Sequence, residues 1–199
     1  MRIPRLTSRF PGPNRGAGAG MRGIALIEFA LILPVIIIMA MGIIDFGRLI
    51  QTRLIVSNVS REGGSIASRQ TTIDNALISM LQASGTPLNM RGAAGALICT
   101  RITAGQTLAQ PAPKITTQLY GGGLARGSII GANNMYLGLP QNLYNHLVFK
   151  QANSTSDISE ITVVEVYFKY RPITPLPNFI QGMLLPDNGG MIIGSRAIF

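Results

Sequence analysis

Gly23-Ile24-Ala25-Leu26-Ile27-Glu28-Phe29-Ala30-Leu31-Ile32-Leu33-Pro34, running on to Ile44 with no further charge, decides how this chain is built. A helix rises about 1.5 Å per residue, so about twenty apolar residues cross the hydrocarbon layer of a bilayer. The run opens on a glycine behind a basic, glycine-rich stretch. It carries one carboxylate, Glu28, near its start and is closed by a second, Asp45. An acid at membrane depth costs several kcal/mol by most scales (about 3 on insertion scales), and it marks a functional position. Pro34 lacks an amide donor, so a kink is expected there.

Working outward, the residues before the run are its charged flank. Arg2, Arg5, Arg9, Arg15 and Arg22 face no acid, although the whole chain has a net charge of only +9. A basic sequence first suggests nucleic acid. Here the densest charge flanks an apolar helix, which is the positive-inside pattern of a membrane anchor, and no nucleic-acid partner is expected. Residues 1–23 read as a basic cytoplasmic leader, residues 24–45 as a transmembrane helix, and everything after it as lying on the far side. Pro4, Pro11, Pro13 and the run Gly16–Gly20 are expected to hold neither helix nor strand. A cleaved secretory signal fits poorly, because the apolar run is long and no good small-x-small site follows it, Ile38-Met39-Ala40 being a poor candidate.

Past Asp45 the pattern turns amphipathic over residues 46–69. Asp45 and Arg48 form an i,i+3 pair suited to the membrane interface. Leu49, Val56, Ser60, Gly63 and Ala67 share one stripe, apolar first and small later, onto which a sheet can press closely. Gly63-Gly64 costs about 1 kcal/mol of helix stability per glycine, so a break there is the alternative. A short helix follows with Thr72 as its N-cap, Ile73, Ala76, Leu77, Met80 and Leu81 on one face, and Gly85 as its stop. Residues 95–199 read as strands and turns: Leu97–Thr103, Lys114–Tyr120, His146–Gln151, a short Met191–Ile193, and Glu160–Tyr170 as the strongest. Gly121-Gly122-Gly123 reads as a turn, and residues 121–142 as a long surface loop. Pro172, Pro175 and Pro177 make the exit from the main strand extended.

No catalytic constellation emerges. His146 is the single histidine and Cys99 the single cysteine, and the eight acids are scattered. Metal sites need clusters of such groups, and no phosphate-binding glycine loop followed by Lys-Ser/Thr is present. Neither enzyme activity, cofactor nor metal is expected. Cys99, within Ala96-Leu97-Ile98-Cys99, reads as a small buried thiol.

Four stretches together carry a resemblance: Gly23-Ile24-Ala25-Leu26-Ile27-Glu28-Phe29-Ala30, Leu33-Pro34, Asp45-Phe46-Gly47-Arg48 and Ser60-Arg61-Glu62-Gly63-Gly64. The glycine, the Glu28-Phe29 pair and the long apolar helix look like a type IV prepilin processing site. The longer string resembles the TadE-like pseudopilins of tight-adherence (Flp type IV) pilus systems, many of which have Ala in place of Gly64. The resemblance covers about residues 22–69. It implies an α+β, pilin-like protein: a long N-terminal membrane-spanning helix continuing into a periplasmic domain, residues 70–199, with a short helix and a small antiparallel sheet. It implies cutting by a prepilin peptidase between Gly23 and Ile24. Glu28, with Phe29 beside it, would then set register in assembly, and other pilus pseudopilins or pilins would be partners together with membrane lipid. The expected place is the inner membrane, with the N-terminus cytoplasmic and the C-terminus periplasmic. Read without the resemblance, the chain is an unprocessed single-pass protein whose periplasmic domain binds an envelope partner.

Overall fold

The computed structural model describes residues 17–132, 135–150, 156–174 and 190–199, with residues 17–22 described in their backbone alone. The chain divides into two compact units, Met1–Ile43 and Ile44–Phe199. The first unit is helical wherever it is described. Its helix α1 is continuous as Ala17–Arg69 and passes through Pro34 without a break. The helix therefore starts well before Ile24, and the second half of the glycine run is helical after all. Extending a formed helix adds one hydrogen bond per residue fixed, which offsets the poor propensity of Gly18 and Gly20. The expectations for residues 1–16 lie outside the described residues. From Ile24 to Met39 the large apolar side chains are exposed, among them Leu31 at 71%. Such a surface is stable only in an apolar surrounding.

The second unit holds the α+β fold. After the rest of α1 come α2 (Asn75–Ser84), β1 (Gly95–Thr103), β2 (Lys114–Gly122), a one-turn 3-10 segment (Met135–Gly138), α3 (Gln141–Leu147), β3 (Glu160–Tyr170) and β4 (Met191–Ile198). The four strands form one antiparallel sheet in the order β2-β1-β3-β4. Side chains alternate across a strand, so the register fixes two faces. Leu97 pairs with Val166 and Cys99 with Val164 on one face. Ile98 with Glu165 and Ile102 with Ile161 lie on the other.

The first face is covered by α1 and α2. Val56, Val59 and Ala67 of α1 join Leu77, Ile78 and Leu81 of α2, with Met90, over Leu97, Cys99, Val164 and Val166. Each fully buried aliphatic side chain there is worth about 1.5–3 kcal/mol of transfer free energy. The helix does not break at Gly63-Gly64, because this packing outweighs the glycine penalty. The second face is covered by the segment between β2 and β3: Ile130, Leu139 and Leu147 close over Ile102, Ile161 and Val163. β3 is thus buried on both faces from Ile161 to Tyr167, which explains its nearly unbroken apolar sequence.

Several local expectations are corrected. The N-cap of α2 is Asp74, not Thr72; its carboxylate accepts the Leu77 N–H at 2.8 Å. In the helix so capped Ile78 is buried beside Leu77 and Leu81, while Ala76 and Met80 are exposed. His146 lies in the last turn of α3 rather than in a strand. Leu143 and Leu147, four apart, both pack into the second cluster, and that helical spacing wins over the short apolar run Leu147-Val148-Phe149. Gly121 and Gly122 extend β2 instead of forming a turn. A Cβ on Gly121 would strike Ile78 and Gln82 of α2, so only glycine lets the strand end run so close to the helix. Residues 121–142 are not simply a surface loop, since Ser128, Ile130 and Leu139 are buried. β4 runs five residues beyond the expected Met191–Ile193 because β3 offers it a full-length edge.

Candidate functional site

The residues singled out by sequence fall into three groups. Gly23, Ile24, Glu28 and Phe29 lie on α1 in the first unit, all exposed. A Cβ added to Gly23 would meet nothing within 4 Å. Gly23 is thus not a packing glycine in this chain.

Asp45 and Arg48 form the second group. The expected i,i+3 pair does not close: Asp45 turns instead to the chain that leaves β3. Its carboxylate accepts the Ile173 N–H at 3.1 Å, the Thr174 N–H at 3.4 Å and the Thr174 hydroxyl. The Tyr170 hydroxyl donates to the Asp45 carbonyl at 2.9 Å. Burial, then the Asp45 charge, raises the Tyr170 pKa, with Arg48 opposing. So Asp45 is a tie between the long helix and the end of the central strand, a role that sequence spacing did not show.

Ser60, Gly63 and Ala67, the third group, are buried against the sheet. Ser60 hydroxyl bonds to Ser195 of β4 at 2.7 Å and donates to the Ser57 carbonyl at 2.9 Å. A Cβ on Gly63 would sit 3.1 Å from Leu81 and 3.3 Å from Val164. The Ala67 carbonyl accepts from Arg101 at 3.0 Å.

Two functional elements escaped the sequence reading. Arg101, buried on β1, donates to the carbonyls of Ala67, Gln70 and Thr71, in the last turn of α1 and just past its end. A cation at a helix C-terminus also meets the negative end of its dipole. Its one visible signal was a lone charge inside Leu97-Ile98-Cys99-Thr100-Arg101-Ile102. The second is Glu165, fully buried on β3. It accepts from the Ser128 hydroxyl, from the Ile129 N–H at 3.1 Å and from the Tyr167 hydroxyl at 3.0 Å. Burial and then the Glu165 charge push the Tyr167 pKa up to about 12. These bonds fasten residues 128–130 across the sheet. The Arg126 guanidinium lies 5.5 Å from the centre of the Tyr167 ring and adds a cation–π contact.

The remaining titratable groups have structural surroundings. Burial pushes the Cys99 thiol up to about 12, against a smaller opposing effect of Arg101. His146 and Lys150 converge on Asp157 at the surface, and the Lys150 hydrogen bond is the main cause that lowers the Asp157 pKa. Among the described residues no group of three or more His, Cys, Asp or Glu is placed to hold a metal ion.

These features define a class: an α+β protein with one described helix long and apolar enough to cross a membrane. Residues 23–65 match the TadE-like protein family, and the chain therefore carries a TadE-like segment. The matched residues include the apolar run, Glu28, the Asp45 tie and most of the small-residue seam. No curated protein and no solved structure matches the chain.

Proposed function

We propose that this protein is a minor pseudopilin of a Tad (Flp) pilus, cut by a prepilin peptidase between Gly23 and Ile24 and then used in pilus assembly. The observation that carries the reading is the TadE-like match laid over an apolar run, residues 24–39, whose large side chains and one acid, Glu28, are all exposed. Such a helix needs lipid or other apolar helices around it. The basic flank before Gly23 is retained on the cytoplasmic side by the positive-inside effect, and cutting removes it. The new ammonium on Ile24 would lie about 6 Å along the helix from Glu28 of the same chain. In an assembly, Glu28 of one subunit pairs with the ammonium of a neighbour. That pairing offsets the cost of a charge in lipid and sets register more than it adds stability. The domain after the helix is read as periplasmic, and other pilus proteins are its partners.

The test is intact mass and N-terminal sequencing of the protein extracted from membranes of cells that make the peptidase. The expected mature chain begins at Ile24. Gly23→Phe puts a ring where the protease needs a bare backbone, and the full-length chain should accumulate. Glu28→Ala should still be cut but should lose crosslinking to other pilus components. Glu28→Asp, one methylene shorter, should fall between. A wild-type chain that keeps Met1–Gly23 overturns the reading in favour of an unprocessed anchored domain.

A further inference from the structure

The foot of the sheet, where the last residues of the apolar run enter the second unit, holds a nearly wholly apolar pocket of about 200 Å³. It is lined by Asp45, Phe46, Leu49, Tyr170, Pro172 and Met191. Three large side chains in and beside it are open to the surroundings: Phe46 at 63%, Ile173 at 61% and Met191 at 41% exposed. They come from three different elements, the helix, the chain after β3 and the start of β4. Asp45 ties the helix to the chain after β3, and Met191 pairs with Tyr170 in the sheet. By accepting from Ile173 and Thr174 and receiving the Tyr170 hydroxyl on its carbonyl, Asp45 fixes the level of the strand end against the helix. An exposed apolar cluster fastened this way is not a chance of surface composition.

We infer that this pocket is a lipid-facing foot, in which the upper acyl segments and head groups of an anionic phospholipid layer pack against Phe46, Tyr170, Pro172, Ile173 and Met191. The inference rests on the membrane anchoring of α1. Three observations select lipid as the occupant. Asp45 follows directly on the apolar run that ends at Ile44, and Leu49 lies about 7 Å further along the helix. The interfacial layer on each side of a bilayer is about 5–8 Å deep, so Phe46 and Leu49 fall inside it. Tyr170 has the form favoured in that layer, an apolar ring in the pocket and a hydroxyl on a polar partner. Finally, Arg48 and Arg171 neighbour the pocket residues in sequence, while the acid among them, Asp45, has its oxygens engaged. Cations beside an apolar centre are complementary to anionic head groups.

The chain has no tryptophan, so one introduced residue reports alone. The full chain is reconstituted in vesicles of phosphatidylcholine and phosphatidylglycerol, with the phosphatidylcholine brominated either near the top or near the end of its acyl chains. Met191→Trp is the deciding probe because β4 is remote in sequence from the membrane helix. Ile173→Trp serves in its place if Met191→Trp does not fold. Ile36→Trp in the apolar run tests the anchoring itself, and Leu108→Trp, in the loop after β1 at the opposite end of the sheet from Tyr170, is the water-exposed control. The expected result is about twofold quenching at 191 by shallow bromine, weaker quenching by deep bromine, and none at 108, as for groups seated at about 5–10 Å depth. Quenching at 36 with none at 191 overturns the foot while leaving the anchor intact. A blue-shifted but unquenched tryptophan at 191 overturns it too, by showing protein over the pocket. Absence of quenching at 36 removes the anchoring and the foot together.

Discussion

Arg101→Met is the perturbation that best tests how the long helix is held to the sheet. Methionine keeps most of the buried stem and removes the guanidinium. In the wild type that group donates to three carbonyls at the end of α1. The bond to the Ala67 carbonyl is buried. The Gln70 N–H still reaches that oxygen at 3.4 Å, so loss of the guanidinium there costs about 0.5–1.5 kcal/mol. Thr71 is exposed and Gln70 half-buried, so their carbonyls recover water, at a net loss of about 0.5–1.5 kcal/mol each. Relief from burying a cation returns part of this sum. The expected destabilisation is therefore about 1–3 kcal/mol. Glu160, 4.0 Å from Arg101 and with a half-exposed side chain, is the competing explanation. An ion pair so open to water is worth at most about 1 kcal/mol, so Glu160→Gln should be nearly silent. Urea unfolding in detergent measures both variants. Trypsin should also cut faster after the exposed Arg69 in Arg101→Met, because the helix end is released. Equal costs for the two variants, or no change in cutting after Arg69, would refute the capping role.

Gly63→Leu should lower domain stability by an overpacking cost of about 1–3 kcal/mol, read as faster proteolysis, because Leu81 and Val164 already crowd the site. Asp45→Ala should release the chain after β3 and speed amide exchange at Ile173 and Thr174, whose N–H groups it binds; unchanged exchange there would count against the tie. Cys99 has a folded pKa of about 12 against an ordinary value of 9.0. The folded state thus favours the thiol, so this stabilisation is complete below pH 9 and is lost as pH rises through 12. The urea midpoint should fall between those limits, and less steeply in Cys99→Ala. A reporter fused after Phe199 should be active outside the cytoplasm and one after Arg15 inside it; the reverse would overturn the orientation.

What could be read in the sequence followed from periodicity and chemistry that act locally. Glu160–Tyr170 was visible because alternation and β-branched residues coincide there. The stripe Ser60, Gly63 and Ala67 was visible because small residues recur at helical spacing. Features that depend on a distant partner were not visible. Neither the Asp45 tie nor the Arg101 cap can be found without knowing that residues 128 and 34 positions away fold back onto them. Arg48 looked like the partner of Asp45 because sequence shows only neighbours. The α3 helix was missed because seven residues are too few for a periodicity to outvote an apolar run. The second cover of the sheet was missed because it is built of single buried residues among glycines and asparagines, with no period to detect.

The acids of this chain show how the fold and the proposed assembly divide the work. Glu165 is as deeply placed as any residue, yet a hydroxyl, a backbone amide and a phenol satisfy it from within the domain. Asp45 is satisfied in the same way by Ile173 and Thr174. The domain thus supplies donors for the acids that it encloses, as buried polar groups require. Glu28 is treated differently. It sits among exposed Leu26, Ile27 and Phe29, and no described residue donates to it. In water such a carboxylate would need no partner, but an apolar helix surface of this length is not stable in water. In lipid it needs one, and on the helix the side chains within reach one turn away, Ile24, Ala25, Leu31 and Ile32, are apolar. In the uncut chain the donor must then come from another chain or from a lipid head group. A neighbour's Ile24 ammonium fits the proposed cut, since the same event that exposes the apolar end also creates the cation that Glu28 lacks.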